Sequence, residues 1–210
     1  MTATDSEFTR RSVAYGVRYI ASQTGLVSDE ELARLLKARS IPAWEFLFDQ
    51  HFDRVYRYAL GRLFSREEAE DAAASTFDRA LATIDSYSYR GRPALAWLYG
   101  IARNVVKETQ RAEMRQQGTG LVRRLLGRHN GHRSSDALSL MQVDGVDDVV
   151  SRMDLSHALD RLTDIQREVV LLRYFGGLSA AETGQLIGRL ETAVYALQAR
   201  ALAALRRHLT

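Results

Sequence analysis

The sequence predicts an all-α protein made of two small helical domains, a helical bundle and a helix-turn-helix domain, joined by a flexible linker. Apolar residues recur at steps of three and four along most of the 210 residues, and no segment alternates as a strand does. A segment rich in charge and glycine separates two such helical parts. Helix-capping pairs, a Ser or Thr followed three residues later by Glu or Gln, also recur. These pairs are Ser28 with Glu31, Ser65 with Glu68, Thr163 with Gln166 and Ser179 with Glu182.

The first domain is predicted over residues 28–113, after an N-terminal extension of residues 1–27. In the extension, Phe8, Val13, Val17 and Ile20 predict a short amphipathic helix. A helix opened by Ser28 comes next, a second begins near Pro42, and a third follows Ser65. Their predicted buried residues are Leu32, Leu35, Leu36, Trp44, Leu47, Phe48, Phe52, Val55, Tyr56, Leu60, Ala69, Ala72, Ala73, Phe77 and Leu81.

A fourth helix, which Pro93 can open at its first turn, has two different faces. Its apolar stripe consists of Leu95, Leu98, Ala102 and Val105. Its donor-rich face consists of Arg103, Asn104, Lys107 and Arg111, and the loop before the helix carries Tyr87, Tyr89, Arg90 and Arg92. Aromatic rings stack on bases and guanidinium groups neutralise phosphates, so this surface suits single-stranded nucleic acid. For Trp97, burial in the core is the competing interpretation.

The linker is predicted over residues 114–148, where the chain has too few apolar residues to form a core of its own. Between residues 103 and 133 the basic residues exceed the acidic ones by eight to two, and from 136 to 164 aspartates dominate. A short helix around Leu121 to Leu126 is compatible with this composition. The segment serves either as a spacer or as a strand threaded through a channel of a partner.

The second domain is predicted over residues 149–210. Leu155, Leu159 and Leu162 mark one helix, Gly176 ends the next, and a short helix from Ser179 to Gly188 precedes a final helix from about Glu191. Two helices joined by a glycine-containing turn are typical of a helix-turn-helix unit, although an ordinary helix hairpin has the same pattern. The second helix of such a unit reads bases in the major groove. The candidate contacts are Arg189, Glu191, Thr192, Tyr195, Gln198 and Arg200.

Composition excludes several classes of function. The chain has no cysteine, so disulfides, thiol catalysis and cysteine-ligated zinc are excluded, and its five histidines are not spaced as metal ligands. We find no catalytic residues, cofactor site or metal site, and expect no small-molecule substrate. No apolar run approaches the length of a membrane span, and we expect a cytoplasmic protein. The net charge is +3, and 27 of the 29 basic residues are arginine, which suits bidentate phosphate contacts.

Several strings in the two domains are specific. The first domain contains Ala69-Glu70-Asp71, Thr76-Phe77-x-Arg79-Ala80 and Trp97-Leu98-Tyr99-x-Ile101-Ala102-Arg103-Asn104. The second contains Gln166-Arg167-Glu168-Val169, Leu172-Arg173-Tyr174-Phe175-x-Gly177-Leu178-Ser179 and Gln198-x-Arg200-Ala201. Residues 28–113 and 150–209 thereby resemble RNA polymerase sigma factors of the extracytoplasmic-function group, the small two-domain class.

The resemblance implies a division of labour between the domains. Glu70, Asp71 and Ser75 would contact the core polymerase. The loop and fourth helix would melt the promoter and hold the minus-ten element, through Tyr87, Tyr89, Arg90, Arg92, Trp97, Arg103, Asn104, Lys107 and Arg111. The helix-turn-helix domain would bind the minus-thirty-five element. The family also implies an anti-sigma factor as a partner, and an accessory to polymerase rather than an enzyme.

The sequence departs from the family pattern in the recognition helix. Leu190 stands where a Ser usually caps this helix, and Tyr195 occupies a position commonly held by lysine. The helix is therefore poor in positive charge, and we expect weak intrinsic DNA binding with unusual specificity. Two rival hypotheses remain: a free-standing helix-turn-helix regulator that binds DNA without polymerase, and a degenerate sigma-like protein-interaction module.

Overall fold

The computed structural model describes residues 28–118 and 157–209, and these residues are helical with no strand among them. The all-α prediction is therefore confirmed. The extension 1–27 and the segment 119–156, which includes most of the predicted linker, its short helix and Leu155, lie outside the described residues. No helix in the described part of the chain is both long enough and apolar enough to cross a membrane.

The N-terminal unit consists of four α-helices and one 3₁₀ turn. They are α1 (Asp29–Lys37), α2 (Ile41–Leu63), α3 (Arg66–Thr83), the 3₁₀ turn (Ile84–Ser86) and α4 (Ala94–Gly118). Helix α4 continues to Gly118, so residues 114–118 are helical and the linker was predicted to begin too early. Because a charged, solvated helix end buries little apolar surface, the apolar pattern gave no sign of this last turn.

Helix starts in this unit depend on the serines that the sequence indicated. Ser28 accepts a hydrogen bond from the Glu31 backbone, and Ser65 accepts one from the Glu68 backbone. The reciprocal half of the predicted capping box is absent at Ser28, because the Glu31 carboxylate accepts hydrogen bonds from Arg34 instead. One hydroxyl is thus sufficient to start α1.

The core of this unit lies where α2, α3 and α4 meet, and its edge is less buried than predicted. Phe48 is 43% exposed and Leu81 is 44% exposed, so their predicted burial is wrong. The rings of Phe48, Phe52 and Phe77 contact one another, with centroids 4.7 to 5.9 Å apart, and leave one side of the cluster open to solvent.

The C-terminal unit contains the predicted helix-turn-helix. After a helical turn at residues 157–160 come α5 (Asp164–Val170), a π-helical turn (Leu171–Phe175), α6 (Ala180–Ile187) and α7 (Glu191–Leu209). The capping boxes of α5 and α6 are complete, as predicted. A Cβ on Gly184 would lie 2.6 Å from the carbonyl oxygen of Arg189, so the turn between α6 and α7 requires glycine there.

The two units pack directly against each other. Leu171 and Leu172 of the π-helical turn belong to the same buried cluster as residues of α2 and α4. A Cβ on Gly61 would overlap the side chain of Leu171, so the backbone of α2 and this leucine touch. The sequence predicted two domains joined by a flexible linker. It did not predict that they contact each other.

Candidate nucleic-acid interface

An open cleft of about 490 Å³ lies between α3 with its 3₁₀ turn and α4. It brings together four residues that the sequence nominated for nucleic-acid binding: Trp97, Asn104, Lys107 and Arg111. The complete lining is Arg79, Thr83, Ser86, Trp97, Ile101, Asn104, Lys107, Glu108 and Arg111. We call this the basic cleft. Its aromatic ring, amide and cations match the groups that bind an unstacked base and its phosphates.

The loop before α4 contributes a buried tyrosine that packs against Trp97, one of the residues lining the basic cleft. Tyr87 is only 4% exposed, and its ring stacks on that of Trp97 with centroids 4.7 Å apart. Its hydroxyl donates a hydrogen bond to the carbonyl of Arg92, and burial raises its pKa to about 12. Tyr87 therefore supports the indole ring and does not present a free face to a base, contrary to the prediction. Tyr89 and Arg90 remain exposed on the loop.

Sequence reasoning missed the part of the cleft that α3 contributes. Arg79 of α3 donates a hydrogen bond of 2.6 Å to Glu108 of α4, and this contact lowers the pKa of the Glu108 carboxyl. Arg79 was visible within the Thr76-Phe77-x-Arg79 string. Its position opposite α4 depends on the packing of the two helices, which spacing within one helix cannot reveal.

Two other predicted DNA contacts face the C-terminal unit. Arg103 Nη1 donates a hydrogen bond of 3.0 Å to the carbonyl of Leu186, and Arg103 Nε lies 3.1 Å from Glu168 Oε1. Arg92 donates to the side chain of Gln185 at 2.9 Å. The donor-rich face predicted for α4 is thus divided: Asn104, Lys107 and Arg111 line the basic cleft, and Arg103 lies at the contact between the units.

Glu168 is the centre of that contact. It is 4% exposed, accepts a hydrogen bond of 2.9 Å from Tyr58, and lies 3.5 Å from Arg62 Nε. We call Tyr58, Arg62, Arg103 and Glu168 the inter-unit cluster. Burial and the neighbouring carboxylate raise the pKa of Tyr58 well above its ordinary value, so the phenol keeps its proton to donate. The two arginine contacts through Nε lack hydrogen-bond alignment and act as ion pairs.

The inter-unit cluster was not found from the sequence. Tyr58 and Arg62 are spaced by four residues on the buried side of α2, and Glu168 precedes the buried Val169 and Val170. Polar groups within an apolar stripe require partners when they are buried. The sequence could therefore have predicted that these polar residues have partners. It could not have predicted which residues pair.

The predicted polymerase contacts lie on α3, and none of them lines the basic cleft. Glu70 and Asp71 are exposed, and Glu70 forms an ion pair of 3.4 Å with Arg66. Ser75 is half-buried. The two carboxylates therefore face solvent near the start of α3, where the helix dipole favours negative charge.

The recognition helix α7 presents most of its predicted contacts to solvent. Arg189, Glu191, Thr192, Tyr195 and Arg200 are exposed. Gln198 is half-buried, and its amide is already bonded to Arg173 and Tyr174. Along the C-terminal half of α7, Arg200 borders a second open cleft of about 760 Å³, whose lining is Arg161, Gln166, Arg200, Ala203, Ala204, Arg206 and Arg207.

Two family models match the chain. Sigma-70 region 2 matches residues 47–116, which contain α3, nearly all of α4 and the basic cleft. Sigma-70 region 4 matches residues 152–205, which contain the helix-turn-helix.

Two curated relatives are ECF RNA polymerase sigma factors. The ECF RNA polymerase sigma factor BldN of Streptomyces coelicolor is 37% identical over 178 residues, or 84% of this chain, but the match spans only 64% of that relative. The ECF RNA polymerase sigma factor SigD of Mycobacterium tuberculosis is 33% identical over 156 residues, covering 72% of this chain and 70% of the relative.

Two solved structures share the fold. The chain superimposes on CnrH, solved with the cytosolic domain of CnrY, with a TM-score of 0.61, 20% identity, and coverage of 86% of this chain and 96% of CnrH. It also superimposes on the sigma factor RpoE, solved with the anti-sigma factor NepR from Bartonella quintana, with a TM-score of 0.62 and 20% identity. The match covers 80% of this chain and 98% of RpoE.

Proposed function

The chain belongs to the extracytoplasmic-function group of RNA polymerase sigma factors, and from this premise we propose that it directs core polymerase to specific promoters and helps to open them. One observation carries the proposal: both sigma regions occur in one chain, and region 2 holds the basic cleft. In this proposal the chain has no catalytic centre of its own. Polymerase supplies the chemistry, in the cytoplasm.

The basic cleft is proposed to hold unpaired bases of the minus-ten element. Extruding a base from the duplex costs a few kcal/mol, on the order of 2 to 4, which stacking and hydrogen bonding in a pocket can offset. Trp97, supported by Tyr87, offers an aromatic surface, and Asn104 offers both a donor and an acceptor. Lys107 and Arg111 are placed to neutralise the adjacent phosphates.

The remaining contacts are assigned to protein and duplex partners. Glu70, Asp71 and Ser75 of α3 are proposed to contact the core polymerase. The exposed face of α7 is proposed to enter the major groove of the minus-thirty-five element, with Arg189 and Arg200 near phosphates. Because RpoE was solved with an anti-sigma factor, we also propose that such a factor holds this chain inactive.

This function requires the two units to separate. Promoter elements centred 25 base pairs apart lie roughly 85 Å from each other along B-DNA. In the structure, Arg103 next to the cleft lies 3.1 Å from Glu168 of the helix-turn-helix unit. Fully extended, the 38 residues from 119 to 156 would span roughly 125 to 137 Å, so the connection is long enough for separation. We therefore propose that the packed arrangement opens when polymerase and promoter bind.

Run-off transcription with purified core polymerase tests the proposed function. The chain contains two lysines, so Lys107→Ala in the cleft has a matched control in Lys37→Ala at the exposed end of α1. We expect Lys107→Ala to reduce run-off about tenfold and to weaken its dependence on salt, with core binding unchanged, since one phosphate contact is lost. Lys37→Ala should behave as wild type.

Two outcomes would contradict the proposal. If the chain bound promoter DNA tightly in mobility-shift assays without core polymerase, and core added nothing, it would be a free-standing regulator. If it bound core but produced no run-off from any template, it would be a sigma-like interaction module.

A further inference from the structure

Two large apolar side chains are exposed at the start of α7, on the residue just before the helix and in its second turn. Leu190 is 78% exposed and Tyr195 is 53% exposed, whereas the inward-facing Val194 is fully buried. The small buried cluster of this unit, formed by Val169, Ala180 and Val194, includes neither of them. Leu190 and Tyr195 therefore contribute little to the described core, and they lie where a recognition helix meets DNA.

Polar groups on the same surface are already engaged within the protein. The Gln198 carbonyl accepts a hydrogen bond of 3.1 Å from Arg173, and its amide donates one of 2.8 Å to the Tyr174 hydroxyl. A glutamine reads adenine with both of these atoms. Gln198 would have to lose both bonds to do so.

Charged groups on this surface do not supply the usual contact with guanine. Residues 191–199 contain no lysine or arginine, and Glu191 accepts a hydrogen bond of 3.3 Å from the Tyr195 hydroxyl. The commonest specific contact in the major groove is a bidentate arginine or lysine on guanine. The nearest arginines, Arg189 and Arg200, flank the helical turns that would face the bases.

The large exposed groups that remain, the Leu190 side chain and the ring of Tyr195, are apolar. Thymine is the base that offers an apolar group in the major groove, its 5-methyl. Leu190 and Tyr195 are five residues apart, which is about 7.5 Å along a helix axis, or roughly two base-pair steps of B-DNA. We propose that Leu190 and Tyr195 are specificity-determining residues that recognise thymine methyl groups in the upstream element. This inference rests on the proposed function.

Replacement of thymine by deoxyuridine tests this directly, because it removes only the methyl group. Upstream elements are first selected from a randomised pool by the chain bound to core polymerase. Their thymines are then replaced one at a time by deoxyuridine, and binding of the polymerase complex is measured. We expect selected elements to contain thymine at two nearby positions, and each replacement to weaken binding about fourfold.

Variants then show which side chains detect the methyl groups. Tyr195→Ala and Leu190→Ala should each abolish the difference between thymine and deoxyuridine at one position. Tyr195→Phe keeps the ring and should retain the difference. Ile41→Ala is the matched control, because Ile41 is 70% exposed on the other unit. It should behave as wild type.

The possible failures are distinguishable. Equal binding of thymine and deoxyuridine elements by an initiating complex overturns this inference and leaves the proposed function intact. Selection of guanine-rich elements would also overturn the inference and leave the proposed function intact. Absence of initiation from every template overturns the proposed function, and the inference with it.

Discussion

Two arginine–carboxylate contacts in different regions of the molecule differ in distance and in solvent exposure, and we expect exposure to decide which of them contributes more to stability. In the basic cleft, Arg79 and Glu108 approach to 2.6 Å, and their side chains are 46% and 53% exposed. In the inter-unit cluster, Arg62 and Glu168 are 3.5 Å apart, but their side chains are only 6% and 5% exposed. Water screens the shorter pair, whereas the longer pair is desolvated, so removing one partner there leaves a buried charge.

The largest expected effect is therefore that of Glu168→Ala. This change removes the buried carboxylate shared by Arg62 and Tyr58 and leaves Arg62 with its ion pair to the exposed Asp164, at 3.9 Å. Breaking a buried pair in this way costs about 3 to 5 kcal/mol of the free energy of unfolding. Urea denaturation monitored by circular dichroism measures it. Glu168→Gln retains an acceptor for Tyr58 and should lose less. A loss below about 1 kcal/mol for Glu168→Ala would show that the cluster is solvated.

Gly61→Ala tests the apolar part of the same contact. A new Cβ would overlap Leu171, which is fully buried, so we expect a loss of about 1 to 3 kcal/mol from overpacking. Gly100→Ala in α4 is the matched control. Its Cβ would meet Leu186 at an ordinary 3.7 Å, and we expect it to stabilise the helix by up to about 1 kcal/mol. Equal effects of the two variants in thermal denaturation would contradict the close contact of α2 with Leu171.

The smallest expected effect is that of Glu108→Ala in the basic cleft. Its ion pair with Arg79 is exposed, and such pairs contribute about 0.2 to 1 kcal/mol. The loss should shrink further at high salt, whereas that of Glu168→Ala should persist, because salt screens exposed charges more than buried ones. Denaturation at low and high salt checks both variants. A salt-insensitive loss of several kcal/mol for Glu108→Ala would show that water does not screen the Arg79–Glu108 pair.

Features that depend on residues close together in the sequence were predictable. Helix starts were predictable because the capping hydroxyls of Ser28, Ser65, Thr163 and Ser179 act within three residues. Four members of the basic cleft were predictable because they occupy one stretch of a single helix, α4.

Contacts between distant parts of the chain were not predictable. Tyr58 and Glu168 are separated by 110 residues, and no spacing rule joins them. Arg103 shows the limit most clearly. Its neighbour Asn104 faces the cleft, but successive residues on a helix point about 100° apart, so Arg103 faces the other unit. Helical periodicity places a side chain on a face, and only tertiary packing decides what that face meets.

In the proposed function, the two packed units separate to engage polymerase and promoter. Because the chain has no cysteine, Asp49→Cys and Ala203→Cys would provide two unique labelling sites, at exposed positions of the two units. Fluorescence energy transfer between dyes at these sites should be high in the free chain and fall sharply in the complex with core polymerase and promoter DNA. Unchanged transfer in a complex that initiates transcription would show that the units do not separate.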